Sequence, residues 1–555
     1  MIVHAKSTNI AQGISVVDRN DNNDKEASGK IALVIKDFAS KNEEGIKLAR
    51  EAAFRLSKTA LWRNFIIHYK EAYSIALEKA GGRSETFIHE SKVQLLNDCI
   101  NMEFMQTTSP VWRKIFVQSQ LPESLRALDK LARNIWWTWN PDAIKLFESI
   151  DEALWEQHHH NPILVLDVLP YQQMKRLEKN REFIGHLNTI NEKFEQYIAR
   201  PIISSPQVTY FCMEYGLCSD LKLYSGGLGI LAGDYLKEAS DNAMDVVGIG
   251  LLYRNGYFRQ EISLHGEQLV QEDVQKFTSL PLLPVYDNEG EWLKIAIAFP
   301  GRTLYAKAWK IEVGKVALYL LDTDIPENST EDRSITSRLY GGDWENRLKQ
   351  ELLLGIGGMR LLRKLGITPD VYHYNEGHAA FAGLERLLML IQEENISFDE
   401  ALEVVRSSSL FTTHTPVPAG HDTFSEELIR TYLSYNANLF NISWKHLMAL
   451  GRADENDTSE NFSMSYLAAR LSQEINGVSE IHEKVSRKMF NHLWRGYAEE
   501  ELHIGHVTNG VHFSTWTSPE WQNFYEKYFG NELKGIKSNP SASEKIQNVD
   551  EKIIW

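Results

Sequence analysis

Three cysteines, the lack of a long apolar run and a deficit of positive charge set the first limits on this 555-residue chain. Cys99, Cys212 and Cys218 are too few for a disulfide framework, and their spacing matches no zinc site. We therefore expect a reducing, cytoplasmic location. The first residues, MIVHAKSTNIAQG, contain no apolar signal-peptide core, and no apolar run of about 18 residues predicts a membrane span.

The charge balance narrows the classes of partner. The chain has 59 Lys and Arg residues against 75 Asp and Glu residues, so its formal net charge is −16 at pH 7. A field of this sign disfavours nucleic acid and anionic membranes as partners, but it does not disfavour a neutral sugar. Hydrophobic residues make up 43% of the chain, which is typical of a globular protein with a large core. The length predicts about three or four domains.

The first 120 residues differ from the rest. In residues 1–85 a polar loop, SVVDRNDNNDKEASGK, precedes a strongly helical segment whose aromatic residues recur at helical spacing between positions 62 and 73. The residues before this segment are too few to cover its apolar face, so we predict part of a domain rather than a whole one. Residues 86–120 have few periodic signals and are predicted to be a linker.

The remaining sequence predicts a helical region followed by an α/β domain. Residues 121–205 are predicted to be helical, with Pro122 at a helix start and Asn140-Pro141 at a helix stop. Residues 206–530 alternate short apolar strands, such as VTYFCMEY and DVVGIGLLY, with helices. Because polar, Gly- or His-bearing loops follow these strands, we expect a mainly parallel sheet with a ligand beyond the carboxyl ends. Residues 531–555 would begin a further linker.

The segment LYSGGLGILAGDYL raises the first functional question. It places Gly226, Gly227 and Gly229 between a strand and a helix. A helix N-terminus offers unpaired N–H groups and partial positive charge, and glycines let an anion approach them. The pattern is neither a Walker A loop nor a dinucleotide fingerprint. An anion site and a tight turn against a neighbouring strand are the two interpretations.

Three further segments place histidines and polar groups after predicted strands. HYNEGHAAF holds Glu376 beside His378, which suits a general acid/base pair, a substrate orienter or a helix start. TTHTPVPAGHDTF places His414 in a loop that its prolines stiffen. HVTNGVHFSTW holds Asn509 and Gly510, a pair that also forms hairpin turns. No two histidines share metal-ligand spacing on one helix, so we expect no metal site.

Together these segments resemble the α-glucan phosphorylases, especially the shorter bacterial and archaeal type. The segments that carry the resemblance occur in the family's order across about residues 121–555. They are YFCMEYGLCSDLKLYSGGLGILAGDYLKEASD, GIGLLYRNGYFRQEI, NRLKQELLLGIGG, HYNEGHAAFAGLERL, FTTHTPVPAGHDTF, LAARLSQEINGVSEIHEKVSRKMF and HVTNGVHFSTWTSPEW. The resemblance implies an α/β fold, namely the Rossmann-like N-terminal half of a two-domain glycosyltransferase of the GT-B type, preceded by helical segments and without its second half.

The resemblance also implies an activity: phosphorolysis of an α-1,4-glucan to glucose 1-phosphate with retention. The expected partners are α-1,4-glucan and inorganic phosphate, and a homo-oligomer is compatible with the resemblance. By motif matching, His414 would contact the glucosyl unit, Glu376 would orient His414 or the sugar, and Asn509 would bind a sugar hydroxyl. The residues expected to bind or flank substrate and phosphate are Gly226, Gly227, Gly229, Glu214, Arg347 and His378.

Two departures from the family pattern concern the ends of the chain. The family binds pyridoxal 5′-phosphate through a lysine in a Gly-Met-Lys context of its second half, and this context does not occur here. Residues 5–82 resemble the C-terminal tail of glycogen synthases of the animal and fungal class. We therefore expect a fragment of a synthase–phosphorylase fusion that shows no turnover alone. The alternative is a non-catalytic module that binds glucan or docks on a partner.

Overall fold

The computed structural model describes residues 24–42, 44–49, 121–202, 206–256, 258–417, 420–529 and 549. The chain divides into two compact units, Met1–Phe116 and Val117–Trp555. The described part of the first unit is helical and comprises α1 (Asp24–Ala39) and residues 44–49. The helix with the aromatic face, the predicted linker at 86–120 and nearly all of 531–555 lie outside the described residues, so the predictions for them stay predictions.

Helices open the second unit, as the sequence predicts for residues 121–205. Side chains of Asn140, Asp151, Asn161 and Asn180 each accept a backbone N–H at a helix start, which satisfies amides that have no partner inside the helix. The structure places these helices and the following sheet in one compact unit, so the predicted boundary at 205 stays a prediction. The helices are α2 (Arg126–Arg133), α3 (Pro141–Glu148), α4 (Glu152–Gln157), α5 (Pro162–Val168), α6 (Tyr171–Lys179) and α7 (Arg181–Ala199).

Short strands of apolar residues form the centre of the second unit, because both faces of such strands can be buried between helices. β2 is buried at every position, and the last three residues of β1 are buried as well. The strands are β1 (Val208–Phe211), β2 (Val246–Leu251), β3 (Arg259–Ile262), β4 (Gln268–Gln271), β5 (Leu283–Pro284), β6 (Lys294–Phe299), β7 (Arg302–Val313), β8 (Val316–Asp322), β9 (Val371–Asn375), β10 (Ser409–Thr412), β11 (Thr423–Phe424), β12 (Phe462–Ser463), β13 (Glu474–Gly477) and β14 (Ile504–His506).

Within the described residues the main sheet has ten strands in the order β14-β13-β10-β9-β1-β2-β8-β7-β5, with β6 paired to β7. The pairs from β14 to β8 are parallel, and β7 pairs antiparallel with its neighbours. The prediction of an α/β fold with a mainly parallel sheet is therefore confirmed. β14 pairs in parallel with β13 and is followed by a loop, so Asn509 and Gly510 do not form a hairpin turn.

Helices lie between and after the strands, and they include the connections that parallel pairing requires. They are α8 (Gly227–Asp241), α9 (Thr330–Arg333), α10 (Trp344–Leu352), α11 (Gly358–Leu365), α12 (Phe381–Glu394), α13 (Phe398–Ser407), α14 (Glu426–Leu439), α15 (Trp444–Ala449), α16 (Met464–Arg470), α17 (Glu480–Phe490), α18 (Phe513–Trp516) and α19 (Pro519–Phe529).

The segment NRLKQELLLGIGGMRLLRKLG is helical with one irregular turn. A π-helical turn at Leu353–Gly357 separates α10 from α11, and α11 ends at Gly366, which adopts the left-handed conformation (φ 68°) that glycine favours. A Cβ atom on Gly355 would lie 2.5 Å from the backbone nitrogen of Ala382. Glycine is therefore needed where this turn lies directly against α12.

The register of three neighbouring strands brings polar residues together at one edge of the sheet. β9 lies between β1 and β10, with Phe211 opposite Tyr374 and Thr412 opposite Asn375. The segments that follow these strand ends carry Glu214, Glu376 and His414. The three predicted site residues are far apart in sequence, and parallel pairing alone makes them neighbours.

Candidate active site

A cavity of about 580 Å³ lies beyond the carboxyl ends of β1, β9 and β10. Five residues predicted from the sequence line it: Glu214, Arg347, Glu376, His378 and His414. The cavity is also lined by side chains that carried no prediction: Tyr340, Asp343, Trp344, His421 and Asp422. His421 and Asp422 follow His414 within the same motif and could have been proposed from it, whereas Tyr340 and Trp344 lie in a segment without a recognisable signal.

His414 is held in one orientation by Asn375. The imidazole Nε2 lies 2.7 Å from Asn375 Oδ1, and Asn375 Nδ2 in turn donates to the Cys212 thiol at 3.2 Å. Because Asn375 Oδ1 can only accept, we assign the proton to Nε2 of His414, which leaves Nδ1 as an acceptor. Burial lowers the pKa of His414 to about 4, so the ring is neutral at pH 7.

Glu376 orients the backbone that carries His414 rather than the imidazole itself. The His414 N–H donates to Glu376 Oε1 at 2.6 Å, and the Thr415 hydroxyl donates to the same oxygen at 3.0 Å. Glu376 has a φ of 76°, which a non-glycine residue adopts at a cost of roughly 1–3 kcal/mol. Glu376 therefore adopts a strained backbone conformation while its carboxylate holds this loop at the cavity.

His378 contributes a second neutral ring to the cavity. Its Nε2 accepts the backbone N–H of Met213 at 3.3 Å, and burial lowers its pKa to about 3. Nearby His373, whose Nε2 lies 2.7 Å from the Thr412 hydroxyl, is also buried and has its pKa lowered to about 3. These rings therefore supply hydrogen-bonding groups without charge at pH 7.

Glu214 holds the glycine-rich turn. Its Oε2 accepts the backbone N–H groups of Ser225 (2.9 Å) and Gly226 (3.3 Å), and Tyr340 donates its hydroxyl to Oε1 at 2.5 Å. The carboxylate thus occupies the first amides of the turn from within the protein. In the described part of the chain the amides of Gly227 and Leu228 have no such acceptor, and Leu228 lines the cavity.

The three glycines of the turn have different surroundings. A Cβ atom on Gly226 or Gly227 would meet nothing within 4 Å. A Cβ atom on Gly229 would lie 2.4 Å from Cβ of Tyr224 and 2.8 Å from Oε2 of Glu214. Packing therefore explains Gly229, but it does not explain Gly226 and Gly227. Close packing thus suits the tight-turn interpretation at Gly229, whereas the anion site at Gly226 and Gly227 stays a prediction.

Arg347 joins two elements below the cavity. Its Nη2 donates to Asp422 Oδ2 at 2.6 Å, its Nε lies 3.0 Å from Glu351 Oε1, and its guanidinium stacks 4.5 Å from the centre of the Tyr340 ring. The charges of this cluster are neutralised largely among themselves. Arg347 is therefore a structural support of the cavity wall in this conformation.

The charge of the lining limits the ligands that fit. Four carboxyl residues line the cavity (Glu214, Asp343, Glu376 and Asp422), against the single guanidinium of Arg347. Such a lining disfavours an anion except at the helix N-terminus, and it suits the hydroxyl groups of a neutral sugar. Among the described residues no group of His, Cys, Asp or Glu side chains is arranged to hold a metal ion.

Four predicted site residues are not part of the cavity lining: Asn509 and the three glycines Gly226, Gly227 and Gly229, whose turn reaches the cavity at Leu228. The backbone N–H of Asn509 donates to Val478 O at 3.2 Å, and its side chain is exposed on the loop between β14 and α18. Its predicted contact with a sugar hydroxyl stays a prediction. Within the described ranges, no helix combines the length and the apolar character that crossing a bilayer requires.

Two family models match parts of this chain. The model described as carbohydrate phosphorylase matches residues 367–540, which include Glu376, His378 and His414. A model described as a protein of unknown function matches residues 121–221, which include the helices α2–α7 and Glu214.

Curated relatives extend the similarity over most of the chain. A glycogen phosphorylase of Mycobacterium tuberculosis is 40% identical over 470 residues, which is 80% of this chain and 54% of the relative. A maltodextrin phosphorylase of Thermococcus litoralis is 40% identical over 448 residues, covering 79% of this chain and 53% of the relative. A glycogen phosphorylase of Aquifex aeolicus is 37% identical over 434 residues, covering 77% and 61%. The chain thus spans about half the length of these relatives, and it belongs to the α-glucan phosphorylase family.

Proposed function

We propose that this chain forms the glucan- and phosphate-facing half of an α-glucan phosphorylase. The reaction transfers a glucosyl unit from the non-reducing end of an α-1,4-glucan to inorganic phosphate and releases glucose 1-phosphate with retention. The observation that carries the proposal is a single cavity that combines oriented neutral imidazoles with an open helix N-terminus. The relatives named glycogen and maltodextrin phosphorylase support the choice of substrate.

In this proposal the sugar contacts come from the strand ends. His414 offers the free Nδ1 acceptor and its backbone carbonyl, and the Asn375 contact keeps the ring from rotating. A neutral ring exchanges hydrogen bonds with hydroxyl groups without the desolvation cost of a charge. Trp344, whose side chain is 59% exposed at the cavity, offers an apolar face to a sugar ring.

The phosphate contact in this proposal comes from the start of α8. The amides of Gly227 and Leu228 and the partial positive charge of the helix N-terminus attract an anion. The open space at Gly226 and Gly227 lets phosphate oxygens reach these amides. Glu214 already satisfies the neighbouring amides, so it confines the anion to the remaining two.

Pyridoxal 5′-phosphate, the cofactor that the family implies, finds no covalent attachment point in this cavity. Its described lining contains no lysine, and the two buried lysines of the described chain are occupied elsewhere. Lys237 contacts the Thr515 hydroxyl at 3.3 Å, and Lys349 pairs with Glu331 and Glu345. The described residues therefore suit a phosphate anion and a sugar, but they offer no lysine amine to bind the aldehyde of the cofactor.

The proposal is tested with a full-length protein that carries this chain, by measuring the release of glucose 1-phosphate from maltoheptaose and inorganic phosphate. His414→Ala should lower kcat/KM, and the fall should correspond to a loss of roughly 2–4 kcal/mol of transition-state stabilisation, because the substitution removes a preorganised polar contact. His265→Ala, at an exposed position on the β3–β4 connection, is the matched control and should leave kcat/KM unchanged. Binding of maltoheptaose without any phosphate-dependent release would instead favour the non-catalytic glucan-binding module.

A further inference from the structure

A buried carboxyl group, Glu351, lies directly behind the cavity and has no role in the chemistry above. Its side chain is 0% exposed, and neither of its oxygens accepts a hydrogen bond within the described part of the chain. The nearest cation is Arg347, whose Nε lies 3.0 Å from Oε1. If Glu351 were ionised, only this guanidinium, which also faces a second carboxyl group, would offset the desolvation cost of its charge.

The second carboxyl group of the cluster is Asp422, which lines the cavity and is 23% exposed. Asp422 accepts a hydrogen bond from Arg347 at 2.6 Å, and Glu351 lies against the same guanidinium. One guanidinium thus faces two carboxyl groups. A single bound proton makes the cluster neutral, and it lets Glu351 donate to Asp422.

The position of that proton follows from the surroundings of the two carboxyl groups. Burial and the neighbouring Asp422 charge raise the pKa of Glu351 well above its usual range, whereas Arg347 outweighs burial and lowers the pKa of Asp422. The other titratable groups at the cluster are His378, which stays neutral, and Tyr340, whose pKa burial raises well above its usual value. None of them competes for the proton at neutral pH.

We propose that Glu351 is a positioning residue that keeps its proton at neutral pH and donates it to Asp422, which fixes the cavity wall that begins at His414. Residues 413–417, which follow β10, form no helix or strand, so this part of the wall depends on side-chain anchors. Glu376 anchors its beginning through the His414 and Thr415 contacts, and Asp422 anchors its end on α10. Only the identity of the ligand in the cavity depends on the proposed function.

The protonation of Glu351 is tested by infrared difference spectroscopy on the 555-residue chain. The spectrum of the wild type minus that of Glu351→Gln should contain the carbonyl stretch of a protonated carboxyl group at neutral pH. Its absence would overturn the proposal, because an ionised Glu351 cannot donate to Asp422. This measurement needs no ligand, so it stands whether or not the chain acts on glucan.

The anchoring role is tested by hydrogen exchange of peptides that span β10 to β11. Glu351→Gln keeps a donor for Asp422 and should exchange at the wild-type rate, whereas Glu351→Leu, of similar size but without a donor, should exchange about tenfold faster there. Equal rates in the two variants would overturn the anchoring role. The affinity for maltoheptaose should be the same in the wild type and in Glu351→Gln, and lower in Glu351→Leu. If the wild type itself had no measurable affinity for maltoheptaose, that result would count against the proposed function alone.

The pH dependence of unfolding gives an independent check. The folded state holds one proton more than the unfolded chain above the ordinary Glu pKa of about 4.3, so stability falls as the pH rises towards the folded pKa. Glu351→Gln lacks this loss, so its unfolding equilibrium constant relative to that of the wild type should fall by up to about tenfold per pH unit between pH 5 and pH 8.

The matched control is Glu385→Gln on α12. Glu385 is also buried and pairs with Arg360 at 2.6 Å. Its substitution also removes a buried carboxyl group that faces an arginine, so the pH dependence of its effect on stability is the reference for Glu351→Gln. A constant difference between Glu351→Gln and the wild type would show that Glu351 is ionised in the folded state, which would overturn the proposal.

Discussion

The two ends of one glycine-rich turn illustrate how glycine can serve opposite purposes. At Gly226 and Gly227 the space that a side chain would fill is empty, and the next residue, Leu228, lines the cavity. At Gly229 and Gly233 the same space is already filled: a Cβ atom on Gly233 would lie 2.0 Å from the carbonyl oxygen of Gly216. The packed glycines hold α8 against the strand–loop segment, and the open glycines leave room for a ligand.

This difference teaches that a glycine motif is not one functional unit. The packed pair is explained by the fold alone, since a side chain would clash with Tyr224 and Glu214 at Gly229 and with the backbone of Gly216 at Gly233. The open pair has no such explanation within the described residues, because a side chain at those positions would meet only open space. Substitutions at the two pairs should therefore separate stability from ligand binding.

The largest effect is expected at the packed end. Gly233→Ala should lower the free energy of unfolding by about 3 kcal/mol, because backbone atoms cannot yield as a flexible side chain can. Gly227→Ala is the matched control on the same helix and should raise stability by up to about 1 kcal/mol through helix propensity. Urea unfolding of both variants measures the contrast, and similar losses in both would erase the distinction between the two ends.

An intermediate effect is expected at Glu214, which ties the open end to the protein. Glu214→Ala should cost about 2 kcal/mol of unfolding free energy, because the amides of Ser225 and Gly226 and the Tyr340 hydroxyl lose a charged partner. Glu238→Ala, on the exposed side of α8, should change stability by less than about 0.5 kcal/mol. Equal melting temperatures for the two variants would mean that the turn does not need this anchor.

The smallest effect on stability is expected at the open end, where Gly227→Val should change the unfolding free energy by less than about 1 kcal/mol. The branched side chain should nevertheless block phosphate from the amides, raising the phosphate KM of a full-length protein by about tenfold. The melting temperature and the phosphate KM of this variant are measured together. A destabilised protein with an unchanged phosphate KM would identify Gly227 as a turn residue only.

Local sequence patterns predicted most of what positions the site. The apolar segments VTYFCMEY and DVVGIGLLY form the neighbouring parallel strands β1 and β2, and Glu214, which follows β1, lines the cavity. Side-chain alternation and helix-end signals act over a few residues, so the sequence reveals them directly. The alternative of a hairpin turn at Asn509 and Gly510 did not form, because β14 pairs in parallel with β13.

The anchors behind the cavity had no comparable local signal. Arg347 and Asp422 are 75 positions apart in the sequence, and their contact exists only because α10 packs beneath the loop that ends at Asp422. The sequence motif suggested that Glu376 orients His414 or the sugar, whereas the structure shows the carboxylate bound to backbone and hydroxyl groups of the loop. Such roles depend on long-range packing, which no short pattern encodes.

The amino-acid sequence thus determined the α/β class, the strand ends that carry Glu214, Glu376 and His414, and the glycine-rich start of α8, because each follows from side-chain periodicity or backbone preference over a few residues. The tertiary structure decided which glycines face open space, which predicted residues share one cavity and where a buried proton is held. These features follow from contacts between distant segments, since only packing sets the distance between charges and the space beside a backbone.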